Sequence, residues 1–96
     1  MFSYDLQVRY DARQSFYGKA RVEERPNGVD VLISYSTEVA AVSKGKAYVN
    51  GKYSQTTTRH QKEFLKQWGF KVIDTKQMLK DYGVSDEEFE KVLRGE

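Results

Sequence analysis

The sequence predicts an α+β fold: an antiparallel β-meander of four to six strands, with one main helix packed on a face and two short C-terminal helices. Three observations predict it. Apolar and polar residues alternate with a period of two through the first half, the period becomes helical after residue 54, and each helical segment carries its own start residues, the first two also a closing glycine. At 96 residues the chain reads as a single domain, with residues 1–54 forming the meander and 55–96 mainly helical.

Phe2, Tyr4, Leu6, Val8 and Tyr10 alternate with Ser3, Asp5, Gln7 and Arg9, which predicts a first strand with one buried face. Residues 11–15 break the pattern as a loop. A second strand from about Phe16 to Glu24 sets Gly18, Ala20 and Val22 against Lys19, Arg21 and Glu23. Pro26-Asn27-Gly28 then turns the chain, because Pro fixes φ while Asn and Gly accept left-handed backbone. From Val29 to Ala41 the odd positions keep one face over a run too long for a single strand, so a bend or bulge near Ser36-Thr37-Glu38 should divide it into two consecutive segments. Lys44-Gly45 reverses the chain into a strand at residues 46–49. Asn50-Gly51 predicts a type I′ hairpin, with Lys52 and Tyr53 opening a returning arm.

In the second half, Phe64, Leu65 and Trp68 share a helix face, with Thr58 as N-cap and Gln61 completing a capping box, Thr56 and Thr57 being alternative caps. Gly69 ends that helix. Residues 70–73 are a short strand or extended connector. Asp74 or Thr75 caps a two-turn helix carrying Met78, Leu79 and Tyr82, closed by Gly83. The last helix has the fullest local signature: Ser85 as N-cap, Glu88 completing the box and Val84 stapling onto Phe89.

Composition narrows the function classes. Hydrophobic residues at 39% and aromatics at 14% suit a folded chain rather than a disordered one. The absence of cysteine excludes disulfides and thiolate chemistry. No signal-peptide pattern and no apolar run near bilayer length occur, so a cytoplasmic protein with no membrane partner is expected. The net charge of +2 is unremarkable, but its distribution is not. Lys44, Lys46, Lys52, Arg59, Lys62, Lys66 and Lys71 face only Glu63 between residues 44 and 71, whereas acids outnumber bases after residue 76.

No catalytic signature is present. His60 is the only histidine, which leaves no His-based metal cage and makes any Ser-His-Asp arrangement depend on one residue in a first helical turn. Glu23-Glu24 and Asp86-Glu87-Glu88 are explained by a turn and by helix capping. No phosphate loop, dinucleotide fingerprint or HExxH motif occurs, so a non-enzyme without cofactor or metal is expected.

The threonine run beside Arg59 and His60 could form an anion pocket. A helix N-terminus offers unpaired N–H groups and partial positive charge, and Thr57, Thr58, Arg59 and His60 would complete it. In the plain alternative one threonine caps the helix and the charged residues are solvated; a protein contact is the third reading. Lys44, Lys46 and Lys52 near two hairpin tips, together with Lys62 and Lys66 on one helical face, would form a continuous patch for an acidic or phosphate-bearing macromolecule if the hairpin folds beside the helix. Lys46 and Tyr48 beside Lys19 and Arg21 could make an aromatic and basic platform for single strands. Tyr4, Tyr10 and Tyr35 fall in phase with the core, whereas Tyr17, Tyr48 and Tyr53 do not declare a face.

The ordered segments Ser15-Phe16-Tyr17-Gly18-Lys19-Ala20, then Ser34 to Ala40, then Gly45 to His60 and finally Phe64-Leu65 before Gly69-Phe70 resemble a group of small uncharacterised proteins encoded by bacteriophages and mobile elements. The likeness covers roughly residues 15–70. That group has no established activity, so the resemblance assigns no catalytic or binding residue. It implies a phage accessory protein in the host cytoplasm, acting by surface binding on a host nucleic-acid-handling defence complex in an anti-CRISPR-like way. The alternatives are direct DNA or RNA binding through the basic stretch, or capture of a small phosphorylated ligand at the Thr58 helix start.

Overall fold

The computed structural model describes residues 2–13, 15–51 and 53–96. Strands β1 (Phe2–Asp5), β2 (Ala20–Glu24), β3 (Asp30–Ser34), β4 (Thr37–Ser43) and β5 (Lys46–Val49) form one antiparallel sheet in sequence order. Helices α1 (Gln55–Gln67), α2 (Thr75–Tyr82) and α3 (Asp86–Leu93) follow. Among the described residues, no helix is long and apolar enough to cross a membrane.

The sheet is covered on both faces. Val22, Leu32, Ala40 and Val49 pack with Phe64 and Leu65 of α1 and Met78 of α2, while Val29, Val31 and Ala41 pack with Phe89, Val92 and Leu93 of α3. Successive side chains of a strand point to opposite faces, so the two central strands read as almost unbroken apolar runs. Val84 joins the cluster around Phe89, and the Glu88 N–H donates to Ser85 Oγ at 3.2 Å, which completes the expected start of α3.

The long odd-numbered run reverses completely instead of bending. Ser34 lies opposite Thr37 across Tyr35-Ser36, and Tyr35 takes a φ of 58°. Its N–H donates to Lys19 O at 2.7 Å, fastening this turn to the one before β2. The bulge falls further on: Leu32 pairs with Ala40 but Ile33 with Glu38, which makes Val39 the extra residue. The parity therefore shifts, and Val39 joins the α1-side core while Val31 and Ala41 face α3.

Four further expectations are corrected. The first strand stops at Asp5; Leu6 and Val8 still reach the core, but Tyr10 is 59% exposed. The second strand starts at Ala20, because Tyr17 and Gly18 have φ of 54° and 75° and Lys19 N–H closes a reversal onto Phe16 O at 3.0 Å. The type I′ pattern belongs to Lys44-Gly45, both at positive φ between the paired Ser43 and Lys46, and among the described residues Asn50-Gly51 makes no hairpin. Asn50 Nδ2 instead donates to Glu38 O at 3.0 Å, and the far edge of β5 is met by Val84 N–H on Val49 O at 2.9 Å, which leaves no place for a returning arm there. Lys52 lies outside the described residues.

The fourth correction is the helix start. Ser54, not Thr58, is the N-cap of α1, its Oγ accepting Thr57 N–H at 3.3 Å, so the threonines lie inside the first turn. Gly69 closes α1 at φ 90°, with Phe70 N–H on Leu65 O at 2.9 Å and Gly69 N–H on Lys66 O at 3.1 Å, a Schellman ending. Asp74 caps α2 through Gln77 N–H at 2.8 Å. Residues 70–73 form a connector rather than a strand. Replacing Ser54 by Ala should cost about 1 kcal/mol in urea denaturation; an unchanged midpoint would place the start of α1 elsewhere.

Candidate functional site

Helix α1 buries an unusual set of polar side chains against the sheet: Thr57, Thr58, His60, Gln61 and Glu63. A buried carboxylate is tolerated only when its oxygens are fully satisfied, and Glu63, 1% exposed, meets that condition through the backbone of the loop after β1. Its carboxylate accepts N–H groups from Arg9 at 3.1 Å, Tyr10 at 2.9 Å and Asp11 at 2.8 Å. Gln67 Nε2 donates to it as well, at 2.5 Å. Successive amides curled around an anion form a nest, and here the anion belongs to the protein.

The same loop is tied a second time by Arg59, whose guanidinium lies 3.5 Å from the Asp11 carboxylate. Loop and helix thus hold open a groove of about 550 Å³, with Tyr10, Asp11 and Ala12 on one wall, Thr58, Arg59, Lys62 and Lys66 along α1, and Tyr53, Gln55 and Thr75 toward its other side. Among the described residues, Lys62 and Lys66 take part in no salt bridge. The groove is therefore cationic.

Of the residues singled out in the sequence, the structure brings Thr58, Arg59, Lys62 and Lys66 to this one place. Lys44 and Lys46 are exposed on the β4–β5 hairpin; Lys46 lines a separate depression with Tyr48, Phe70 and Asp81, and neither lysine contributes to the groove. The basic platform expected from Lys46 and Tyr48 beside Lys19 and Arg21 does not assemble, because β3 and β4 lie between β5 and β2. Among the described residues, no group of three or more His, Asp or Glu side chains is placed to hold a metal ion.

Thr57 and His60 point inward. Ser34 Oγ lies 3.0 Å from Thr57 Oγ1 and 2.8 Å from His60 Nδ1, and the imidazole meets the Phe16 ring edge-on at 4.5 Å between centroids. Burial pushes the imidazole down to about 4, with Asp11 opposing the shift and Lys19 adding to it. Thr57 and His60 therefore form a buried seam between α1 and β3, Thr58 lines the groove, and the helix end offered to solvent is at Ser54-Gln55.

Sequence reasoning missed Glu63, whose signal was its isolation as the single acid in a basic stretch, and Asp11. It also misjudged three tyrosines. Tyr4, Tyr10 and Tyr35, expected inside, are 40%, 59% and 55% exposed, because Tyr4 lies on an edge strand, Tyr10 follows the loop away and Tyr35 occupies a turn.

Fold and site together define a small α+β domain with helices on both faces of a five-stranded meander and a cationic groove along its main helix. The chain belongs to the family of unknown function DUF8033, whose profile matches residues 4–81. The match spans the groove and ends within α2, leaving α3 outside. No curated protein and no solved structure matches the chain.

Two outcomes test this geometry. Glu63→Ala should cost about 3–5 kcal/mol, since it strands several buried amides, and should abolish hydrogen-exchange protection at Tyr10 and Asp11; retained protection would mean that the loop stands without the carboxylate. The lowered imidazole means that the unfolded chain binds a proton the folded one refuses. Stability should thus be full above about pH 6.5 and fall by about 3 kcal/mol as the pH drops toward 4. Urea titrations at several pH values should show a gentler decline for His60→Gln.

Proposed function

We propose that this protein acts by surface binding rather than catalysis, docking an acidic or phosphate-bearing macromolecule on the α1 groove through Arg59, Lys62 and Lys66. The observation that carries this reading is that Arg59, Lys62 and Lys66 line one groove whose two acids are already engaged, Glu63 by backbone amides and Asp11 by Arg59, which leaves Lys62 and Lys66 in no salt bridge among the described residues. Cations without a protein counter-charge keep their attraction for a partner, and displacing their counterions makes association depend on salt. The Ser34–His60 contact lends no support to hydrolytic chemistry: both residues are buried, at 2% and 1% exposure, and Ser34 Oγ is shared with Thr57.

An inhibitor of a host nucleic-acid-handling complex and a direct DNA or RNA binder would both use this surface, since each brings a dense field of negative charge to fixed cations. A small phosphorylated ligand at Thr58 has less support, because the unpaired amides of α1 lie a turn earlier. Replacing Lys62 and Lys66 together with Glu should lower affinity for an anionic partner at least tenfold, while each changes stability by no more than about 0.5 kcal/mol. Fluorescence anisotropy across a salt series checks it: wild-type log K should fall linearly with log salt, and unchanged binding by the double variant rejects the groove.

A further inference from the structure

Outside the groove, two tyrosines adopt conformations that tyrosine does not favour. Tyr17 and Tyr35 have φ of 54° and 58°, the left-handed region that costs a non-glycine residue roughly 1–2 kcal/mol and that Gly or Asn fills more readily. Buried rings could offset that strain by packing. These rings are 74% and 55% exposed, so within the protein most of their surface contributes nothing.

The two turns are fastened to each other by Tyr35 N–H on Lys19 O at 2.7 Å, and Lys19 Nζ stands 5.9 Å from the Tyr35 ring centroid. The inner side of Tyr35 faces His60, with centroids 6.1 Å apart, and the next residue in α1, Arg59, opens the cationic groove. Asp11 and Lys19 both lie near enough to act on the His60 imidazole, and Asp11 pairs with Arg59, so the Tyr35 turn lies toward the Arg59 end of the groove. Asp5, whose carboxylate approaches Gly18, is an acid at this end.

We infer that Tyr17 and Tyr35 are a stacking platform for the unpaired bases of a single-stranded nucleic acid whose phosphates run onward to Arg59, Lys62 and Lys66. This rests on the groove reading and names its partner. A single strand supplies both things the surface lacks, flat π faces for exposed rings and anions for Lys62 and Lys66, which no salt bridge among the described residues engages, whereas a duplex keeps its bases stacked on each other. An acidic protein surface would satisfy the lysines and leave the rings unused.

The test measures anisotropy of fluorescein-labelled dT20, a matched 20-base-pair duplex and labelled polyglutamate with the full chain. Tyr17→Asn with Tyr35→Asn removes both rings while keeping residues that accept the turn geometry, and circular dichroism checks the fold. The double variant should bind dT20 about tenfold more weakly, polyglutamate as well as wild type does, and with an unchanged salt slope. Tyr35→Trp should keep dT20 affinity and show quenched indole emission on binding. If the Asn variant binds dT20 within twofold of wild type while Lys62→Glu with Lys66→Glu does not, the platform is overturned and the groove survives. If the lysine variant also binds normally, both readings fall. Preference for duplex or for polyglutamate over dT20 likewise overturns the single-strand inference.

Discussion

The buried carboxylate of Glu63 is the interaction on which the remaining architecture depends. A charge sealed between a helix and a loop is costly unless each lone pair is used. Here three consecutive backbone amides and a glutamine use them. The consequence is geometric: the chain leaving β1 cannot continue along the sheet and instead runs along α1, where it becomes the second wall of the groove. Without that carboxylate, the cations of α1 would lie on an open helix face.

A second polar seam works beside it. Ser34, Thr57 and His60 lock the first turn of α1 to the end of β3, while Gln61 Nε2 caps Val39 O at 2.9 Å, the carbonyl of the bulged residue. Both contacts serve backbone or hydroxyl groups that would otherwise be stranded in a dry interface. The Tyr35 turn follows directly on Ser34 and packs against His60, so the elements that close the core also fix the surface around it.

Much of this fold was legible in the sequence. Alternation marked the strands, Ser85 with Glu88 and Val84 with Phe89 marked α3, and Gly69 marked the end of α1. What escaped were features decided between distant segments. Asn50-Gly51 has strong local turn chemistry, yet the far edge of β5 is met by Val84 and the chain enters α1 directly after Ser54. Tyr10 and Tyr35 keep core parity but sit where the backbone has left the sheet. Glu63 looked like an ordinary helix-surface acid, because nothing local shows that residues 9–11 will wrap around it. The candidate site was legible in part: Arg59, Lys62 and Lys66 share a helical face by spacing alone, whereas the separation of Lys44 and Lys46 from them depends on strand order.

The central claim is that this chain meets an anionic partner on the α1 groove and the turns beside it. Backbone amide chemical-shift mapping on titration with dT20 tests it most directly. The account predicts shifts concentrated at Tyr10–Ala12, Tyr17–Lys19, Tyr35 and Arg59–Lys66. Shifts confined to the β4–β5 hairpin around Lys44 and Lys46, or to the acidic outer face of α3, would contradict it.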